Sequence, residues 1–99
     1  MTTPTDFREA VREDQRLRVL QALTRAPDYT APAALLLADL RIHGHAVPSD
    51  ALRAQLAWLD EAGLIILMGD LVPVARLTQR GEEVASGTAR HPGVARPGP

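Results

Sequence analysis

Arginine is the residue through which this chain could bind phosphates, because all 11 of its basic residues are arginine and none is lysine. The absence of lysine excludes Schiff-base chemistry and a P-loop lysine. The 12 acidic residues leave a net charge of −1, whereas nucleic-acid-binding domains normally carry a basic excess. Only residues 64–99 are net positive, with four arginines against three acidic residues. Any positive field is therefore weak and lies toward the C-terminus.

A helix predicted at residues 49–62 has the position of a DNA-recognition helix. Its N-terminal half offers Ser49 and Arg53, which could reach base edges and phosphates in a major groove. The same helix is rich in carboxylates, and Ser49 and Asp50 could instead simply cap it. A β-hairpin is predicted after this helix, in the position of a DNA-contacting wing. Its tip is Gly69-Asp70, which is acidic and disfavours insertion into a groove. The candidate DNA contacts are Ser49, Arg53, Arg76, Arg80, Arg90 and Arg96.

The outer side of the same helix could instead bind protein. Ala54 and Ala57 point outward when the leucines of the helix point inward, and Trp58 lies on a flank. Tryptophan is favoured at the centre of interfaces, so these three residues form a candidate protein interface. Alternatively, Trp58 packs on the second helix or on the N-terminal helix, because a chain with only three aromatic residues needs volume in its core.

Several other chemistries are excluded by the residues present. The chain has no cysteine, so it has no disulfide, no thiolate metal site and no cysteine nucleophile. His43 and His45 lack further convergent ligands, and no nucleophile has a recognisable base. No apolar run approaches 18 residues. We therefore expect a cytoplasmic protein that is not an enzyme, with no metal, cofactor, small-molecule substrate or membrane partner.

The hydrophobic periodicity predicts a mainly α, α+β fold. A first helix is predicted from Thr5 to about residue 26, and a second is predicted after Thr30 as its cap. A short strand at residues 45–47 precedes the helix capped by Ser49. Strands at 64–68 and 71–77 join through a two-residue turn, Gly69-Asp70, and Thr78 caps a short last helix. This order predicts a winged helix-turn-helix: three helices, a β-hairpin wing and a short C-terminal helix.

The composition also predicts the domain boundaries. Residues 1–4 should be a flexible N-terminus, and residues 5–86 should form the winged-helix domain. Residues 87–99 contain three prolines and three glycines without periodicity, and Pro73 should place its strand at an edge or interrupt it. We therefore expect a disordered tail, rich in Pro, Gly and Arg, at residues 87–99.

Nearly the whole chain resembles a group of small proteins encoded in Mu-like phages and prophages. The resemblance is carried by EDQRLRVLQAL, PDYT, GHAVPSDALRAQLAWLDEAGLI, LTQRG and HPGVARPGP. Such proteins are often labelled ArsR-like or winged-helix, which implies a transcriptional regulator or another DNA-associated accessory protein. This chain departs from ArsR metal sensors because it has no cysteine pair to bind a metal.

Two functions remain open. The first, which the resemblance favours, is DNA binding by a small phage-type winged-helix protein. The second is a protein-interaction module without DNA binding, which docks on another phage protein or on a second copy of itself. That docking would use helix 49–62 or the C-terminal tail.

Overall fold

The computed structural model describes residues 6–98 of the protein. It is an α+β domain with four α-helices and a three-stranded antiparallel sheet, compatible with a small winged-helix-like fold. The predicted cap Thr5 and the N-terminal segment 1–4 lie outside the described residues. The elements are α1 (Asp6–Arg25), a 3-10 turn (Pro27–Tyr29), β1 (Thr30–Pro32), α2 (Ala33–Ile42), α3 (Ser49–Glu61), β2 (Ile65–Met68), β3 (Val74–Leu77) and α4 (Gln79–Ser86).

The core is built from leucines that recur at helical spacing. Leu52, Leu56 and Leu59 of α3 are fully buried, as the periodicity predicted. They pack with Leu36 and Leu40 of α2 and with the second half of α1. The remaining core side chains come from the sheet, from Leu64 before β2, from α4 and from the residues after α4: Ala31, Leu64, Ile65, Ala75, Leu77, Val84, Ala85 and Val94.

Helix α1 divides into two halves. Its second half carries the buried stripe Leu17, Leu20 and Leu23, and Val19, expected on the flank, is buried as well. None of residues 7–14 is buried. The first half of α1 therefore projects beyond the core.

The third strand lies elsewhere than predicted. Residues 45–47 form no strand, and β1 instead lies directly after α1, with Thr30 opposite Arg76 and Pro32 opposite Val74 of β3. Thr30 consequently does not cap α2, which begins after Pro32. The left-handed backbone at Asp28 and Tyr29 turns the chain back onto the free edge of β3. Three residues paired with a distant strand leave no periodicity from which to place them.

The predicted two-residue hairpin is also wrong. The last pair between β2 and β3 is Met68 with Val74, so residues 69–73 form a five-residue loop, called the wing loop below. Pro73 has no N–H to donate, and the strand starts only after it. β3 is the central strand of the sheet rather than an edge, with β1 and β2 on either side.

Two further predicted helix caps, Thr78 and Ser49, have different outcomes. Thr78 caps α4 as predicted, since its Oγ1 accepts from the Gly81 N–H at 3.0 Å and donates to the Gly63 carbonyl at 2.8 Å. Ser49 does not cap α3, because the cap position is occupied by Pro48 and Ser49 is the first helical residue. The side chain of Ser49 is therefore exposed and not engaged in a cap.

Candidate partner-binding surface

The exposed N-terminal half of α3 faces the wing loop and the start of α2. Ser49 and Arg53, both candidate DNA contacts, line a cleft of about 270 Å³ between these elements, called the loop cleft below. Its other walls are the apolar residues Ala33, Ala34, Leu37, Leu52, Leu71, Val72 and Pro73. The structure thus brings the two predicted residues together, but in apolar surroundings.

The wing loop makes this surface strongly hydrophobic. Leu71 is 91% exposed and Val72 is 63% exposed, although both lie next to the cleft. Arg53 is the one basic residue that lines the cleft, and with Asp70 it also lines an adjoining depression. The loop cleft therefore combines exposed aliphatic groups with a single cation and a nearby carboxylate.

The other candidate arginines do not line the loop cleft. Arg76 lies on the exposed face of the sheet, where it forms an ion pair with Asp28 of the 3-10 turn at 3.8 Å. Arg80 is exposed on α4. Arg90 and Arg96 come together around a small cavity beside the end of α4. The basic residues are thus distributed over the sheet face, the last helix and the C-terminal segment.

The C-terminal segment, residues 87–98, differs from the predicted disordered tail because it packs along α1. Val94 is buried, and the Ala95 N–H donates to the Glu13 carbonyl at 3.1 Å. The Gly93 carbonyl accepts from Arg16 Nη1 at 2.8 Å. The segment contributes backbone groups and small apolar side chains to these contacts, and such groups leave no periodic signal in the sequence.

Trp58 lies between α1 and this segment. The guanidinium carbon of Arg16 lies 3.9 Å from the centre of the indole ring, and His91 meets the ring edge-on at 5.1 Å. Gly93 packs so closely that a side chain there would collide with the ring. Trp58 therefore packs on the N-terminal helix, one of the two packing partners considered, and also on the C-terminal segment.

Arg16 is a buried residue that the sequence analysis missed. Its Nε donates to Gln55 Oε1 at 2.8 Å, and its Nη1 lies 3.4 Å from Glu9 Oε2. Gln55 in turn donates to Gln15 at 2.9 Å. The sequence did indicate that Arg16 is buried. It lies four residues before Leu20 and seven before Leu23, so helical spacing places it on the same apolar side of α1. Arg16 and its partners hold α1, α3 and the C-terminal segment together.

The two alanines of the candidate protein interface are exposed, as their spacing predicted. Ala54 lines a groove between α1 and α3, together with Ala51 and Trp58. Ala57 is exposed on α3 outside that groove. Helix α3 therefore borders two cavities, the loop cleft on one flank and this groove on the other.

Two relatives show the family of this chain. A protein of Escherichia phage Mu described as uncharacterized protein gp26 is 40% identical over 90 residues, which cover 88% of this chain and 91% of gp26. The chain belongs to the gp26 family of Mu-like phages. An uncharacterized protein of Haemophilus influenzae (strain KW20/Rd) is 38% identical over 76 residues, covering 75% of this chain and 74% of that protein. No family model matches the chain.

The histidines of this gp26 relative bind neighbouring residues. His45 Nε2 forms a hydrogen bond with Asp14 Oδ2 at 2.7 Å, and His43 Nδ1 lies 2.9 Å from the Asp39 carbonyl. Within residues 6–98, no three His, Asp or Glu side chains are grouped so that they could hold a metal ion. In the same range, no helix has the length and apolar character needed to cross a membrane.

Proposed function

We propose that this gp26-family protein is a protein-interaction module of the winged-helix type, which docks on another phage protein through the loop cleft. The observation that carries the proposal is the exposure of Leu71 and Val72 beside a cleft with a single arginine. Exposed aliphatic residues at the tip of a wing match a protein surface better than a phosphate backbone.

The energetics favour a protein partner at this surface. Burying a leucine or valine side chain contributes about 1.5–3 kcal/mol, so the two residues together could supply much of a micromolar affinity. A DNA-contacting wing would need cations at its tip, whereas Asp70 lies there. Arg53 fits a peripheral role, in which it pairs with a carboxylate of the partner and fixes its orientation.

DNA binding is the second candidate function. It is favoured by the position of Ser49 and Arg53, which share the exposed side of the N-terminal half of α3. In this case both residues would contact DNA, and phosphate contacts would come from Arg76, Arg80, Arg90 and Arg96. The separation of these arginines around the domain makes it the weaker proposal.

The partner surface can be tested by affinity capture from cells in which a Mu-like prophage carrying this gene has been induced. We expect the immobilised wild-type chain to retain a phage protein that the Leu71→Ser/Val72→Ser variant does not retain. Binding of that protein, once purified, should weaken at least about tenfold in the double variant, as measured by calorimetry. Both residues are largely exposed, so the fold should be unaffected.

Ile42→Ser is the matched control, because Ile42 is 80% exposed at the end of α2 and does not line the loop cleft. It should bind like the wild type. Equal retention by the wild type and the double variant would refute the loop cleft as the docking surface. Release of the captured protein by nuclease would favour the DNA alternative.

A further inference from the structure

The projecting half of α1 carries apolar side chains that its own domain does not cover. Phe7 is 78% exposed, Ala10 is exposed and Val11 is only partly buried. These turns continue a helix whose second half is packed in the core, so their backbone is held without a partner, but their apolar side chains remain in water. The apolar side of this half of α1 is therefore free to pack against a partner.

An open groove of about 620 Å³ lies directly beside these residues, between α1 and α3. Its apolar lining comes from both helices and from the segment before α3: Phe7, Val11, Val47, Ala51, Ala54 and Trp58. The small side chains of Ala51 and Ala54 make the α3 wall shallow, so a further helix can approach it closely. This α1–α3 groove is distinct from the loop cleft.

The α1 wall of the groove is basic, whereas the residues of α3 that line it are uncharged. The α1 wall carries Arg8 and Arg12, which both line the groove. On α3, the exposed charged residues beyond Ala54 are Asp50 and Glu61, which follow from its position on the helix. A helix with arginines beside an apolar face would complement these carboxylates. The projecting half of α1 offers Arg8 and Arg12 for this contact, and Arg12 also pairs with Glu9 at 3.2 Å within its own chain.

We propose that a second copy of this chain occupies the α1–α3 groove, forming a two-fold symmetric dimer. The projecting half of each α1 lies in the groove of the other copy, so that each Phe7 is buried against the alanines of the opposite α3. Arg8 and Arg12 of each copy then approach Asp50 and Glu61 of the other. In a two-fold contact, the same surface of each copy must carry both the projecting side chain and the groove that receives it. Phe7 and the α1–α3 groove lie side by side on this chain.

The dimer does not depend on the proposed function of the loop cleft. Ser49 and Arg53 line the cleft on one flank of α3, whereas Ala51 and Trp58 line the groove on the other. Both loop clefts therefore stay open in the dimer. A dimer with two open clefts would bind a repeated or symmetric partner with two contacts at once.

The test is the mass of the full chain in solution, measured by light scattering and by sedimentation over a range of micromolar concentrations. We expect a dimer for the wild type, and a rise of at least about tenfold in the dimer dissociation constant for Phe7→Ala and for Ala54→Arg. The arginine at position 54 would lie in the groove and repel Arg8 and Arg12 of the other copy. Both sites are exposed in the single chain, so circular dichroism should show an intact fold.

Leu35→Ala and Ala38→Arg are the matched controls, since both residues are exposed on α2 and line neither wall of the groove. They should leave the dimer unchanged. A wild-type monomer throughout the concentration range would overturn the proposal, and so would a dimer that Phe7→Ala and Ala54→Arg leave intact. A groove filled by a different protein would appear as a wild-type monomer and would also overturn it.

Discussion

Replacing Arg16 with alanine is expected to lower the free energy of unfolding by about 3 kcal/mol, which is a large loss for a single domain of this size. The substitution removes the donor to Gln55 Oε1 and to the Gly93 carbonyl, both at 2.8 Å. It also removes the guanidinium that stacks on Trp58. A buried acceptor that is left without a donor destabilises the fold by more than its hydrogen bond had stabilised it.

The indole ring gives a second measurement for this substitution, because Trp58 is the single tryptophan of the chain. Loss of Arg16 should release the C-terminal segment, so the fluorescence of Trp58 should shift toward that of a solvent-exposed indole before the main unfolding transition. Arg80→Ala is the matched control, since Arg80 is exposed on α4 and its replacement should change the stability by less than about 0.5 kcal/mol. An Arg16 variant as stable as this control would refute the structural role of the buried cluster.

Gly81→Ala is the second substitution with a large expected effect. Alanine forms helices better than glycine by about 1 kcal/mol, so propensity alone predicts that this change stabilises α4. In the structure, an alanine Cβ at this position would collide with the Leu64 carbonyl oxygen and lie 2.7 Å from Leu77 Cδ1. The oxygen belongs to the backbone and cannot rotate away. We therefore expect a loss of about 3 kcal/mol in the free energy of unfolding.

Chemical denaturation of Gly81→Ala beside Glu82→Ala would check this expectation. Glu82 is exposed in the same turn, so its replacement should change the stability by no more than about 0.5 kcal/mol. If Gly81→Ala were as stable as the wild type or more stable, α4 would not pack on Leu64 as the structure shows.

The helices were predictable from the sequence because each has its own apolar stripe. Leu52, Leu56 and Leu59 recur at helical spacing, and the structure buries all three. Capping was less predictable, since Thr78 and Ser49 are similar signals and only Thr78 forms a cap. The proline before Ser49 takes the cap position, and a local rule based on one residue type does not include that competition.

The sheet was harder to predict from the sequence, because its strands are short and their partners are distant in sequence. Thr30–Pro32 has three residues and pairs with residues 74–76, so neither alternation nor a turn signal marks it. Gly69-Asp70 is a strong signal for a two-residue turn, yet Pro73 prevents the ladder from reaching it. The position of Pro73 therefore determined the length of the loop.

The candidate site was predictable in part. Ser49 and Arg53 do share an exposed side of α3, as helical geometry required. The buried position of Arg16 was missed because arginines are rarely buried without partners, and its partners Gln55 and Gly93 lie far away in the sequence. The order of the C-terminal segment depends on the same contacts, so it was missed for the same reason.

The charged residues of α3 agree with the two proposed contacts, one in the α1–α3 groove and one in the loop cleft. The carboxylates on the side of the α1–α3 groove, Asp50 and Glu61, are compatible with a basic α1 edge from a second copy. The other flank faces the apolar wing loop with Arg53. We propose that α3, the helix that a DNA-binding winged helix would place in a major groove, instead contacts protein on both flanks.

Whether α3 contacts DNA or protein is tested by fluorescence anisotropy with random-sequence duplex DNA, from low to physiological salt. We expect no binding at micromolar protein concentrations, even at low salt, for the wild type and for Arg53→Ala alike. Binding whose affinity falls steeply with salt, and whose salt dependence is flattened by Arg53→Ala, would contradict this expectation. That result would show that Arg53 contacts phosphates and would establish α3 as a DNA-binding helix.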